Sequence, residues 1–360
     1  MNKNEFDAII DAANAQMTNS FKNRVIGSQG SAPPRFEVYH SAPSLCSHKV
    51  RTVLAEKQIP HVSHDMQIMP LGKAVPQNYR PSYVRMRLLG GEGKRFASGY
   101  TGASSVETQG FDPCVVPTLV DREKQRVIID SSEICKYLES ECDSGTRLVP
   151  EGMEDAIQEQ IDIIDRAPHV AMLYGANPDG DVRPEGLRKG ITGVQARKIV
   201  KLRQMMSEVR DEPDVLAAYE SKIAKEEGSA DFVATPEKMR QAYGAMAAHA
   251  DDLERQLGTH DGTWSMGDEF TMADVMWSVS LFRLKWIGLG YCWEQGNARP
   301  RVASYVDRAF KRSSFRSAVF DWPRAYGPSQ HVPEKFTPQA KRRFFIDMVR
   351  GMNLREVFLG

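Results

Sequence analysis

Cys46 stands in the run Ser44-Leu45-Cys46-Ser47-His48-Lys49-Val50-Arg51, where a strand-like stretch turns into a helix-like one. A thiol at a helix start faces the unpaired N–H groups of the first turn. Their partial positive charge favours the thiolate, which is the nucleophile. Lys49 and His48 are placed to add to that field. The other reading of a lone cysteine is a buried, inert one, and the local residues leave both open. A second run, Cys114-Val115-Val116-Pro117-Thr118-Leu119, puts a proline where a strand begins. Proline brings no N–H to a ladder, so it belongs at a strand start, at an edge or in a cis bond. A cis bond would turn backbone groups outward, ready to pair with an extended peptide; an ordinary edge proline would not. In the third run, Asp130-Ser131-Ser132-Glu133-Ile134, a strand end meets a helix start. Ser131 or Ser132 suits a helix cap and Asp130 suits an ammonium group, with simple capping as the alternative. Together, a thiol, a peptide-pairing edge and an ammonium acceptor are what a thiol-bearing peptide needs.

Those runs require a frame that brings them together. Residues 35–40 alternate as a strand, 41–45 read as a turn, and Val50, Val53 and Leu54 fall at helical spacing within 46–57. Residues 61–66 are predicted as a second strand, and 115–121 and 126–130, parted by a polar tetrad, as a hairpin. Ser131 opens a helix with Ile134, Tyr137 and Leu138 on one face. The order β-α-β, then β-β-α, is the thioredoxin-like arrangement. Between the second and third strands, from about residue 83 to 113, lies a stretch rich in glycine (Gly90, Gly91, Gly93, Gly99, Gly102, Gly110). It is read as a long loop, either a lid or a solvated segment.

After Cys142 the pattern becomes helical. Ile157, Ile161 and Ile164 line one face, and Met239, Tyr243, Met246, Ala250, Leu253 and Leu257 form a longer stripe. Thr271-Met272-Ala273-Asp274 opens a further helix. The expected organisation is an N-terminal extension over 1–33 with a short helix near 5–17 and a loop at 27–34. An α/β domain follows over 34–142 with its insert at about 83–113, then a linker over 143–150, an all-helical domain over 151–327, and a C-terminal extension over 328–360 with a helix from Thr337-Pro338. Lys341, Arg342 and Arg343 read as a solvated face, Trp277 and Trp286 as core.

With 47 basic and 47 acidic side chains the formal charge is zero, which supplies no field to gather nucleic acid or an anionic membrane. No run approaches the roughly 18 apolar residues of a membrane helix, and the first residues carry Glu5, Asp7 and Asp11 where a secretory signal would be apolar. The five cysteines are scattered and odd in number, and no metal-ligand spacing occurs. A cytoplasmic protein without metal, nucleic-acid or membrane partners is expected.

The Val-Pro-Thr-Leu-Val run, the Asp-Ser-Ser-Glu-Ile-Cys-Lys-Tyr-Leu run and Gly267-Asp268-Glu269-Phe270-Thr271-Met272-Ala273-Asp274 resemble the pattern of the glutathione transferase superfamily, the last being its structural capping box. Ser44-Leu45-Cys46 is similar to the Ser-x-Cys signature of its zeta-like branch. The stretch 273–283, the glycine-rich insert, Phe111-Asp112-Pro113 and 169–181 resemble the tetrachlorohydroquinone and 2,5-dichlorohydroquinone reductive dehalogenases. The resemblance covers about 34–328. It implies a thioredoxin-like domain followed by a helical bundle, with glutathione as co-substrate and a homodimer as the family's habit. It also implies a reductive dehalogenase of chlorinated hydroquinones working through a Cys46–glutathione mixed disulfide. Cys46 and Ser44 would be catalytic, Val116 and Pro117 would hold the cysteinyl backbone, and Asp130 and Ser131 the γ-glutamyl end. His169, Tyr174 and Arg283 are placed on the wall of the aromatic site, although His169 also reads as a satisfied core histidine, Tyr174 as packing and Arg283 as an ion-pair partner. Rival readings are a β-aryl etherase or thioether lyase, a maleylacetoacetate-type isomerase, and a non-catalytic glutathione-binding interaction protein.

Overall fold

The computed structural model describes residues 2–27, 32–294, 296 and 298–359; Ser28–Ser31 of the expected N-terminal loop lie outside them. Five strands form one sheet: β1 (Arg24–Ile26), β2 (Phe36–His40), β3 (His61–Asp65), β4 (Thr118–Asp121) and β5 (Arg126–Ile129), in the order β1-β3-β2-β4-β5. β2 and β3 are parallel and the remaining pairs antiparallel. β2 is buried along its whole length, because both faces of the sheet are covered.

The helices are α1 (Lys3–Ala15), α2 (Leu45–Glu56), α3 (Pro81–Gly90), α4 (Val106–Gln109) and α5 (Ser131–Glu141), then α6 (Glu154–Arg166), α7 (His169–Tyr174), α8 (Glu185–Ile191), α9 (Val194–Met206), α10 (Pro213–Ala234) and α11 (Pro236–Gln256). They continue with α12 (Met272–Trp286), α13 (Tyr291–Glu294), α14 (Pro300–Ala309), α15 (Ser313–Phe315), α16 (Pro333–Phe336), α17 (Pro338–Arg350) and α18 (Leu354–Phe358), with a wide π turn over Arg316–Phe320. This is a thioredoxin-like mixed sheet with its helices, followed by a helical domain, as the sequence implied. Trp277 and Trp286 are buried in the core.

The first strands and helices arise where the apolar pattern put them. Two regions differ. The segment before β2 carries a strand, β1, that takes the sheet's edge beside β3. Ahead of it, α1 buries Phe6, Ile10 and Ala13 with Tyr39, Met66, Tyr83, Met86 and Val120, so these residues close one face of the sheet. The expected loop at 83–113 begins instead inside a helix, α3. Tyr83, Val84, Met86 and Arg87 of α3 are buried, and its glycines mask that stripe in sequence. Gly90 ends the helix where a Cβ would come within 2.8 Å of the Val127 carbonyl and of the Ile129 side chain, so the glycine there permits close helix–sheet packing.

α2 sits at the junction of the two domains. It packs on α5, α12 and the π turn, and one apolar core runs from Val38, Val50 and Val53 through Ile161 and Met276 to Phe282 and Val319. Nearly every α2 side chain is buried. A helix covered on all sides shows little amphipathic periodicity, and its start is held between the sheet and the helical domain. α12 opens with the predicted capping box: Asp274 accepts the Thr271 N–H at 2.8 Å, the Ser265 N–H at 2.8 Å and the Tyr305 hydroxyl at 3.0 Å.

Candidate active site

Ser44 is the N-cap of α2, its Oγ accepting the Ser47 N–H at 3.3 Å. Cys46 lies in the first turn and is half-buried. The loop before it is fastened from several sides. Arg51 donates to the carbonyls of Ser41 and Ala42 at 3.2 Å each and to Ala318 at 2.8 Å. Arg283 donates to the Pro43 carbonyl at 2.6 Å. The position of the thiol therefore depends on both domains.

The neighbouring cations divide. His48 is fully buried, with Nε2 2.7 Å from the Ala42 carbonyl and Nδ1 3.1 Å from the Tyr326 hydroxyl. Burial, with Arg51 and Arg283 nearby, drives its pKa well down. It is neutral and adds no positive field to Cys46, contrary to the sequence reading. Lys49 is buried too. Burial lowers its pKa, but Asp165, 2.7 Å from Nζ, and Cys46 outweigh this and raise it to about 12. Lys49 thus stays an ammonium beside the thiol. Burial pushes up the thiols of Cys114, Cys135, Cys142 and Cys292, so these are poor nucleophiles.

The Val116–Pro117 bond is cis, which selects that alternative among the three open to the proline. Arg87, buried in α3, donates to the Pro117 carbonyl at 2.6 Å, to Thr118 Oγ1 at 2.7 Å and to the Asp112 carbonyl at 3.1 Å. Among the described residues the Val116 amide and carbonyl have no hydrogen-bond partner, which suits a backbone kept for an extended peptide. Asp130 holds φ at +69° and ψ at 132° as N-cap of α5. A non-glycine residue there is strained by about 1–3 kcal/mol, and such strain gathers at functional sites. Its carboxylate accepts the Ser132 N–H at 2.9 Å and the Val106 N–H at 2.6 Å. Ser131 is buried in the first turn of α5.

The site holds residues that sequence reasoning missed. Asp165 of α6 takes Lys49 and also accepts the Ser132 hydroxyl. Ser104, within the glycine-rich insert, has its Oγ 3.4 Å from Cys46 Sγ. Val106, two residues on, occupies Asp130. The reading of the glycine-rich insert as a lid hinted at such contacts, without naming the residues that make them. The three residues expected on an aromatic-site wall are not gathered. His169 is buried, with Nε2 2.7 Å from Ser280 Oγ, and burial drives its pKa well down; it is the satisfied core histidine. Arg283 is buried on the Pro43 carbonyl and over the Tyr326 ring, 5.4 Å from its centroid; a carbonyl takes the place of the carboxylate foreseen for it. Tyr174 ends α7 with its ring beneath Lys198, 4.5 Å from Nζ. Of these, only Arg283 touches the loop that carries the thiol.

A thiol on a helix start, an unpaired backbone beside a cis proline and a carboxylate at a strained helix cap fit a cysteinyl peptide with a free ammonium end. Among the described residues there is no group of His, Cys, Asp and Glu able to hold a metal ion and no helix long and apolar enough to cross a membrane.

Comparison with known proteins accords with this geometry. The Glutathione S-transferase N-terminal domain matches residues 43–141 and the Glutathione S-transferase C-terminal domain residues 226–308. The 2,5-dichlorohydroquinone reductive dechlorinase of Sphingobium indicum is 42% identical over 306 residues, 84% of this chain and 87% of its own. The tetrachloro-p-hydroquinone reductive dehalogenase of Sphingobium chlorophenolicum is 23% identical over 79% of this chain and 96% of its own. Among solved structures, the β-etherase LigF of a Sphingobium strain superposes with a TM-score of 0.52 over 80% of this chain and 99% of its own at 14% identity, a likeness of fold alone. With both domain types in order, the thiol-bearing helix start within the first, and such identity over most of its length, the chain belongs to the glutathione S-transferase family.

Proposed function

We propose that the protein is a glutathione-dependent reductive dehalogenase of chlorinated hydroquinones. The observation that carries this reading is the half-buried Cys46 in the first turn of α2, beside the Lys49 ammonium. Support comes from the 42% identical relative, whose name states dechlorination of 2,5-dichlorohydroquinone. Val116 and Pro117 hold the cysteinyl backbone of glutathione, Asp130 and Ser131 its γ-glutamyl end, and Ser44 donates to its sulfur. Arg283 acts from the Pro43 carbonyl as a positioning residue for the loop.

Chloride leaves the quinone-like form of the ring when glutathione thiolate adds to the carbon that bore it. The Cys46 thiolate then attacks the glutathione sulfur of the aryl thioether. The sulfur–carbon bond breaks, and the ring keeps the electron pair and takes a proton, emerging as the dechlorinated hydroquinone. Cys46 is left in a mixed disulfide, which a second glutathione thiolate opens to free Cys46 and release glutathione disulfide. In sum, two glutathiones are oxidised to one disulfide, the C–Cl bond becomes C–H, and HCl is formed.

The first test is Cys46→Ser with glutathione and a panel of chlorohydroquinones and β-aryl ethers. The variant should release chloride yet accumulate the aryl–glutathione conjugate, with dechlorinated hydroquinone down at least about a hundredfold. Release at the wild-type rate overturns the role of Cys46, and ether cleavage without dechlorination in the wild type overturns the substrate class. The same reading carries the family's homodimer and a cytoplasmic setting, to be measured by light scattering and fractionation.

A further inference from the structure

Two residues of the glycine-rich insert occupy the groups assigned above to glutathione. Ser104 Oγ lies 3.4 Å from Cys46 Sγ, and the Val106 N–H lies 2.6 Å from Asp130 Oδ2. Two residues of extended chain span roughly 7 Å, so one short peptide already bridges thiol and carboxylate. A hydroxyl stands at the thiol, where a second sulfur is needed. A backbone N–H stands at the carboxylate, where an ammonium is needed. Resting on the proposed function, we infer that segment 99–110 is a gate that fills the glutathione site from within and must leave it for glutathione to bind.

The construction of the segment fits a body that moves as a unit. Gln109 ties it together, its amide oxygen accepting the Thr101 N–H and hydroxyl at 2.9 Å each and its nitrogen donating to the Gly99 carbonyl at 2.6 Å. Ser105 caps α4. Gly99 and Gly110 bound the unit at φ +119° and +86°, with Gly102 inside it at +87°, values that other residues adopt only under strain. Its outer face rests on the helical domain: Tyr100 meets the Phe232 ring edge-on at 5.3 Å, and Gly102 packs toward Pro168 and Ala171. The gate therefore lies between the domains, and its hold on the site is two polar contacts. Asp130 is buried, and burial and nearby Asp165 raise its pKa while the Val106 and Ser132 N–H groups oppose the rise. Loss of the Val106 N–H leaves this carboxylate in need of another donor, which an ammonium supplies.

Val106→Pro tests the gate cleanly. Position 106 is the first residue of α4, where proline is tolerated, and Ser105 at φ −73° and ψ 152° already has the conformation that precedes one. The substitution deletes the one N–H that the gate places on Asp130, leaving the Ser132 N–H of α5 in place. Cys46 alkylation by iodoacetamide should speed up about tenfold, and S-methylglutathione should bind more tightly by a similar factor. In the wild type, adding S-methylglutathione should speed hydrogen exchange of the Val106 amide, which needs no variant to fold. Unchanged or slower alkylation of Val106→Pro, or a Val106 amide that stays protected when calorimetry shows S-methylglutathione bound, overturns the gate. Alkylation does not involve glutathione, so a protein whose thiol is uncovered by Val106→Pro but which never binds S-methylglutathione keeps the gate and loses the glutathione reading.

Discussion

At the scale of single residues, the chemistry rests on a cysteine whose surroundings come from far along the chain. Ser44 supplies the cap of α2, and Ser44→Ala removes one hydrogen bond to the first turn. The expected cost is about 1 kcal/mol of stability by chemical denaturation, with a larger fractional loss of turnover than of substrate affinity. The Asp130 carboxylate, by contrast, serves two helix starts and sits on a strained backbone. The sequence placed a cap in the Asp-Ser-Ser-Glu run on Ser131 or Ser132, whereas the structure puts it on Asp130. The second partner of Asp130, Val106, was not legible at all, since the two are brought together only by the folded insert.

At the scale of elements, the α12 capping box is a buried keystone of the helical domain. Asp274 accepts from Thr271, Ser265 and Tyr305 with no solvent to replace it. Asp274→Ala strands these donors and should lower stability by roughly 3 kcal/mol or more, read from urea unfolding. A second buried network joins α9 and α10: Glu226 pairs with Lys198 at 3.1 Å and with Lys222 at 2.9 Å. Burial would raise the Glu226 carboxyl, but the two lysines bring it from 4.5 down to about 2. Its folded value is therefore depressed, so its stabilising contribution is present above about pH 4.5 and is lost as pH falls toward 2. A stability–pH titration should show this loss, and Glu226→Gln should flatten it. Lys222 and Glu226 stand four apart on α10 and could be paired by spacing, but Lys198 of α9 could not, because lysines and acids on a helical repeat read as a solvated face until the packing buries them.

At the scale of the whole molecule, the two domains share one core and a buried ion pair. Lys49 of α2 meets Asp165 of α6 at 2.7 Å with 1% and 14% side-chain exposure. Lys49→Met leaves a largely buried carboxylate unpaired and should cost about 3–5 kcal/mol. The double variant with Asp165→Asn should recover much of that, and the cycle reads the coupling directly by denaturation. The N-terminal residues belong to the same accounting: Phe6 is 1% exposed against the sheet, and Phe6→Ala should lower stability by about 3–5 kcal/mol.

Periodicity and turn residues alone set strands β2 to β5, the helix that bears the thiol, the long helical stripe and the capping box, since each depends on neighbours a few residues away. Cys46, Asp130 and Pro117 stood out as candidates for the same reason, with an inert cysteine, simple capping and an edge proline left open, while Ser44 entered through the family resemblance. What only the packed chain decided were pairings across great sequence distance. It neutralised His48, spent His169 on Ser280 and Arg283 on Pro43, folded α1 onto the sheet, and laid Ser104 and Val106 on the thiol and the carboxylate. Burial and long-range hydrogen bonds carry no local signature, because the energy of each comes from a partner that only chain closure brings within reach.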